Sequence, residues 1–230
     1  MLREDTLLHG RSSGKTARFS VRPISALAIT LASAVLALFL IDAGITARAQ
    51  AATTPMGEVK QVMGVALPVL RDRQTPLLQR RRQLRGMLEG HFDFPDMARI
   101  ALGYHWRQLN PNQRAEFSQL FTAFIENAYL SKIQDYSGQD VVVTSQNSEG
   151  PGFARVRTHV VQQGKQPINV DYLLRQMGDD WKIYDVTVDN ISIIANYRNQ
   201  FNRVINDQGF AKLMSDMRLK QQELQSSLGS

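Results

Sequence analysis

Cysteine is absent from this chain of 230 residues. That absence excludes disulfides, zinc–thiolate sites and cysteine nucleophiles together. Histidine is scarce as well, with four in all. His91, His105 and His159 stand in none of the spacings, such as H-E-x-x-H, that gather a metal on one helix face. No metal is expected. The 15 glycines fall at turns and helix ends and compose neither a Walker loop nor G-x-G-x-x-G, so the usual nucleotide cradles are missing. No run of Lys and Arg alternates with stacking aromatics, and nucleic acid is not an expected partner. Internal repeats and long low-complexity linkers are also lacking.

What is present begins with an uncharged stretch from Ile24 to Ile41 (ISALAITLASAVLALFLI), preceded by Arg3, Arg11, Lys15, Arg18 and Arg22 and followed by Asp42. A basic segment followed by an apolar one, then Ala47-Arg48-Ala49, is the pattern of a secretory signal peptide. Residues 1–49 are expected to be removed before Gln50, or two residues later at Ala49-Gln50-Ala51. Retention as an anchor is the alternative, since an apolar run of this length approaches the ~20 residues that cross a bilayer. The leader takes six Lys/Arg and three Asp/Glu with it, so about half of the net charge of +6 belongs to the address and not to the working domain. Residues 50–230 are long enough to bury one full core without staples. One domain is expected.

Apolar positions Val59, Val62, Met63, Ala66, Leu67 and Leu70 recur at helical spacing, with Pro68 expected to bend or end that helix. Thr75-Pro76 reads as a cap and first-turn proline for a second helix through Leu84, Met87 and Leu88. A short helix fits Asp93 to Leu102. Asn110-Pro111-Asn112-Gln113 is a capping-box start for a long helix striped with Phe117, Leu120, Phe121, Phe124, Ala128 and Tyr129. After Gly138 the period falls to two, and Val141–Ser145, Phe153–Gln162, Ile168–Arg175 and Trp181–Asp189 read as strands joined by Gly-containing turns. Two helices close the chain on either side of Gly209. Helices, then an antiparallel meander, then helices imply an α+β fold.

The chemistry-bearing residues form no evident active site. Asp171-Tyr172 and Tyr184-Asp185 are candidates for an acid/base set, but alternation puts each tyrosine with apolar neighbours and each aspartate towards solvent. Arg80, Arg81, Arg82 and Arg85 form a dense basic cluster, read as a solvated helix face with a phosphate or lipid contact as the alternative. From the residues themselves, the reading ends at a soluble α+β binding domain without a visible active site.

The run FPDMARIALGYHWR (Phe94 to Arg107), followed by Asn110 to Phe117 and Leu120-Phe121, resembles the MlaC family, whose members are also known as toluene-tolerance auxiliary components of an ABC transport system. A second block, Trp181 to Val186 and Ile191 to Phe201, is similar to the family's other signature. The family often has glycine where this chain has Asn190. The resemblance implies a periplasmic carrier, built on a bent four-stranded sheet covered by helices in an NTF2-like cone, with a further helical part enclosing an apolar pocket. It also implies phospholipid as cargo, no cofactor and no catalysis. The implied partners are an inner-membrane MCE-domain/ABC transporter complex and an outer-membrane lipoprotein complex, a system that maintains outer-membrane lipid asymmetry. The glycine departure leaves room for another lipid such as a hopanoid, and a cone-fold enzyme using Asp171 or Asp185 is the rival activity.

Two acyl chains carry about 30 methylenes, whose exposure to water would cost on the order of 20 kcal/mol at ~0.8 kcal/mol each. Such cargo changes hands only in contact with a partner. On the apolar faces expected to oppose one another, the tail contacts are Phe117, Phe121, Phe124, Val156, Val170, Tyr172, Leu174, Tyr184, Val186, Val188, Ile194 and Tyr197. Arg107 and Arg198 are the head-group candidates.

Overall fold

The computed structural model describes residues 54–131 and 136–229; the leader and both cleavage sites lie outside them. Helix α1 (Pro55–Arg71) is capped by Thr54, whose Oγ1 accepts from the Gly57 N–H at 3.0 Å. Its apolar stripe is buried as the spacing predicts. Pro68 does not stop it. The ring removes one N–H near the end, but the helix runs three residues further, where the Asp72 N–H donates to the Pro68 carbonyl at 2.9 Å.

Helix α2 (Leu77–His91) starts one residue later than its proline suggests, with Pro76 in the cap position. Asp72 Oδ1 braces the turn instead, accepting from the N–H groups of Gln74 and Thr75 at 2.8 and 3.0 Å. Asp93 caps α3 (Phe94–Leu102), and Gly103, at φ 56°, ends it in a conformation that a side chain would strain. A 3₁₀ segment (Gly103–Gln108) leads to α4 (Pro111–Leu130), which opens on the reciprocal capping box between Asn110 and Gln113.

Strands β1 (Asp140–Gly150), β2 (Phe153–Val161), β3 (Ile168–Met177) and β4 (Asp180–Val188) pair antiparallel in chain order. A two-residue strand β5 (Ile191–Ser192) adds to β4 through Asp189-Asn190, at φ 45° and 66°. Positive φ at both central residues is the geometry of a tight hairpin, and Asp and Asn tolerate it better than branched residues. Helices α5 (Ile193–Gln208) and α6 (Phe210–Gly229) follow.

These elements enclose two cores. Helices α1 and α2 lie on one face of the sheet, where Val156, Val170, Tyr172, Leu174, Val186 and Val188 join Val62, Met63, Leu67 and Leu84. Helices α3 to α6 form a second layer around Phe117, Phe121, Phe124, Ile194, Tyr197 and Phe201. This layer packs against β4 through α3 and α5. The single opposed set expected from the apolar stripes is therefore two sets. Periodicity identifies a covered face but carries no information about what covers it.

Alternation also fails at one point. Leu173 pairs with Asp185 and Leu174 with Ile183, so Tyr184 is the extra residue of a bulge. It leaves the face of Tyr172 and meets Phe153 edge-on, with ring centroids 5.9 Å apart. The aspartates do not face solvent either: Asp171 and Asp185 are both buried.

Candidate functional site

Leu88, Phe92 and Ile193 are half-buried and pack against both cores. They mark a seam. Phe92 closes α2 and bridges to Ile183 on β4, and the Asp93 N–H donates to the Ile183 carbonyl at 2.8 Å. Ile193 opens α5 where the chain leaves β5. The second layer thus joins the sheet along the edge of β4 that β3 does not use.

Charged groups secure this joint. Asp185 accepts from the Ser192 hydroxyl and from the N–H groups of Val186 and Ile194, at 2.8 and 3.2 Å for the two amides. Burial raises its carboxyl above the usual carboxylate range, against the lowering effect of those hydrogen bonds and of Arg155. Arg175 on β3 reaches Asp93 at 2.5 Å and Asp96 at 3.5 Å, tying the sheet to the start of α3. Asp171 is engaged by Arg155 at 3.2 Å and Arg157 at 4.0 Å. Both carboxylates considered for acid/base work are therefore occupied by structural partners.

Tyr129 on α4 packs against the helical core. Desolvation drives its phenol well above the ordinary tyrosine range, and nearby Tyr197 and Asp185 add to the effect. Part of its surface is nevertheless reachable by solvent. Tyr197, whose phenol is also raised by burial, packs edge-on to Phe124 and tilted to Phe201.

The expected tail contacts divide accordingly. Phe117, Phe121, Phe124, Ile194 and Tyr197 lie together in the helical core, and Val156, Val170, Tyr172, Leu174, Val186 and Val188 in the sheet core. Tyr184 belongs to the far face of the sheet. Arg107 and Arg198 are exposed on the helical layer. There Arg198 lies over Gly103 so closely that a Cβ at 103 would meet its Cδ at 3.3 Å. The histidines are also placed: His91 Nδ1 is 2.7 Å from Glu58 Oε1, His105 Nε2 is 2.9 Å from Asn202 Oδ1, and His159 stands exposed on β2.

Sequence reasoning misses Phe92 and Ile193 because they sit at element ends, outside any run long enough to show a period. The Arg80–Arg85 cluster is only in part the solvated face expected of it. Arg80 and Arg81 are buried, and only Arg82 of the first three is exposed.

A model of the family described as MlaC protein matches residues 60–219. The chain belongs to the MlaC family. Intermembrane phospholipid transport system binding protein MlaC of Haemophilus influenzae is 24% identical over 196 residues, spanning 82% of this chain and 90% of that protein. Toluene tolerance protein ttg2D of Pseudomonas putida is 26% identical over 95 residues, 41% of this chain and 44% of its own. A phospholipid-binding protein of Ralstonia solanacearum, solved in complex with a phospholipid, has the same fold at TM-score 0.64 and 24% identity, covering 73% of this chain and 96% of that one.

The two blocks that carry the MlaC resemblance are neighbours in space. The first supplies α3, the 3₁₀ segment and the start of α4; the second supplies β4, β5 and α5. Helices α3 and α5 pack together, Tyr104 donates to Asn206 Oδ1 at 2.8 Å, and Gly103 carries Arg198. The MlaC signature in this chain is the second layer and its joint to the sheet.

Proposed function

We propose that this protein is a periplasmic carrier that holds a phospholipid by its acyl chains between the sheet core and the helical core. The observation that carries the reading is the seam itself, where Leu88, Phe92 and Ile193 offer apolar surface to both sides. Acyl chains lying there would touch both core surfaces, with Tyr197 among the first residues met. Each methylene moved from water into such a site contributes ~0.8 kcal/mol, so the loaded carrier does not release its cargo into solvent. Transfer then requires docked partners. The family and the relatives' names support membership in a phospholipid transport system, and in this reading an inner-membrane MCE-domain/ABC complex and an outer-membrane lipoprotein complex are its two ends.

The carrier works by binding alone, since Asp171 and Asp185 are committed to Arg155, Arg157, Ser192 and backbone amides. The deciding experiment is native mass spectrometry of the purified protein, followed by extraction and identification of what is bound. Bound phospholipid at about one per chain is the expected result. Protein that is consistently free of lipid, and acquires none from phospholipid vesicles, would sink the reading.

A further inference from the structure

Two stretches of the chain contain arginine and no acid. Residues 97–115 hold Arg99, Arg107 and Arg114, and residues 190–206 hold Arg198 and Arg203, without an Asp or Glu in either. The fold brings the two together. On α5, Arg198, Asn202 and Asn206 recur at steps of four and so share one side of the helix. Along that side they meet the 3₁₀ segment: the Arg198 stem lies over Gly103, Asn202 Oδ1 is 2.9 Å from His105 Nε2, and Asn206 Oδ1 accepts from the Tyr104 hydroxyl. Arg114 reaches in from α4, where its Nε donates to the Trp106 carbonyl at 3.0 Å and its guanidinium carbon stands 5.6 Å from the Trp106 ring centroid.

Other surface arginines are neutralised where they stand. Arg71 pairs with Asp140, Arg155 with Glu149, Arg157 with Asp171 and Arg218 with Glu116. In the patch only Arg99 is, through Asp96 at 2.6 Å. Arg107, Arg198 and Arg203 are exposed, and among the described residues no carboxylate lies within ion-pair distance of them. The acids that bound the two stretches are Asp96, Glu116, Asp189 and Asp207. The first two are ion-paired and Asp189 accepts from the Asn169 N–H, which leaves Asp207 against three exposed cations. Tyr104 stands among these cations with its ring 55% exposed and its hydroxyl held by Asn206.

We propose that this face, built from the 3₁₀ segment and the outer side of α5, docks the protein on a bilayer surface rich in anionic phospholipid. The assignment goes beyond the carrier reading and does not require the seam to be loaded. A specific protein interface has an apolar centre inside a polar rim, whereas here a single exposed ring stands among long cationic side chains. Such a face suits a fluid layer of phosphates with no fixed geometry, into whose head-group region an amphipathic tyrosine inserts. Gly103 takes part by leaving room for the Arg198 stem, so that the guanidinium is displayed and the chain beneath it is packed. Helix α3 runs from the seam at Asp93 to this face at Gly103, about 14 Å, so docking leaves the seam clear of the contact. Arg107 and Arg198, expected from sequence to hold the head group of the cargo, here meet the head groups of the membrane.

The test is flotation of the purified mature chain with vesicles of equimolar dioleoylphosphatidylglycerol and dioleoylphosphatidylcholine, or of the phosphatidylcholine alone. At about 50 mM salt the wild type is expected to partition onto the anionic vesicles about tenfold or more in excess of the neutral ones, an advantage that screening removes at about 300 mM. Each of the three free arginines contributes about fivefold, so Arg107→Gln/Arg198→Gln/Arg203→Gln should bring anionic binding down to the neutral level. Lys60→Gln/Arg82→Gln/Lys165→Gln removes three exposed cations elsewhere. It carries the same net charge and should bind within about twofold of the wild type. Tyr104→Ser should weaken binding about two- to threefold. Melting temperatures are read alongside, and Arg203→Glu, a single exposed reversal, should repeat the loss if the triple variant melts early.

Wild-type protein that shows no preference for anionic vesicles overturns the docking face. So does a control variant that loses as much as the patch variant, since net charge and not its placement would then be at work. If polyglutamate binds with the same dependence on Arg107, Arg198 and Arg203 while the vesicles do not, the face serves an acidic protein surface and the bilayer assignment falls. Protein that floats in a patch-dependent way, yet carries no phospholipid when re-isolated from the vesicles, keeps the docking face and fails the carrier reading, so the two can be told apart.

Discussion

The two cores are built from different materials. The sheet core is aliphatic, dominated by valines on the strands and by Val, Leu and Met on α1 and α2, with Tyr172 and Tyr136 as its buried aromatics. The helical core is aromatic. Phe117, Phe121, Tyr197 and Phe201 interlock through stacked and edge-on contacts with centroids 5.7 to 6.2 Å apart. Branched aliphatic side chains fill a pleated surface with few orientational demands, whereas aromatic pairs depend on mutual angle as well as distance. Each layer is thus closed by its own chemistry, and neither contains the surface where they meet. That surface falls to half-buried residues at element ends.

The sharpest way to break the contrast is to remove one ring from the aromatic core. Phe121→Ala is expected to cost about 3–5 kcal/mol, read as a fall in the urea midpoint. Val170→Ala, an equally buried change in the sheet core, should cost about 2 kcal/mol. Equal losses would erase the distinction. Gly103→Ala tests the joint, because the backbone there sits at φ 56° and the new Cβ meets Arg198 Cδ at 3.3 Å; a loss of about 1–3 kcal/mol is expected.

Ile193→Trp should act in the opposite sense. It fills the seam, costs little stability, and lowers co-purifying lipid at least several-fold; undiminished lipid would place the cargo elsewhere. The smallest effect is one of pH. The Asp185 carboxyl is raised above its ordinary 3.8, so its contribution is complete below that pH and is lost as pH rises through the higher folded value. Asp185→Asn removes this dependence. Its melting temperature should gain on the wild type as pH rises above 3.8, and an offset that stays constant with pH would contradict the assignment.

Much of the fold is legible in the sequence because local rules are written in short stretches. The Asn110–Gln113 box starts α4 where its spacing says it should, and the change of period after Gly138 announces the sheet. Asn190 is visible as a departure from glycine, and its φ of 66° explains why asparagine serves there. Other features depend on partners distant in the chain. Nothing in the alternation of β4 reveals that Tyr184 is a bulge residue, because a bulge is a property of the pair β3–β4. The arginines of α2 look like a solvated face until α4 and the end of α1 are brought against them. The separation of Phe121 from Tyr172 into different cores is illegible for the same reason, as both stripes are simply apolar.

One consequence lies in the order of the chain. The helical layer is assembled from two stretches, α3–α4 and α5–α6, with the entire sheet between them. A polypeptide emerging from its N-terminus completes α1, α2 and all the strands while the rings of Phe117 and Phe121 still await Phe201. Until the last two helices arrive, the nascent protein presents an aromatic ribbon beside a finished sheet, a surface suited to a chaperone and prone to self-association. A chain ended at Ser192 should be retained by an apolar-binding holdase, and addition of α5 and α6 should release it.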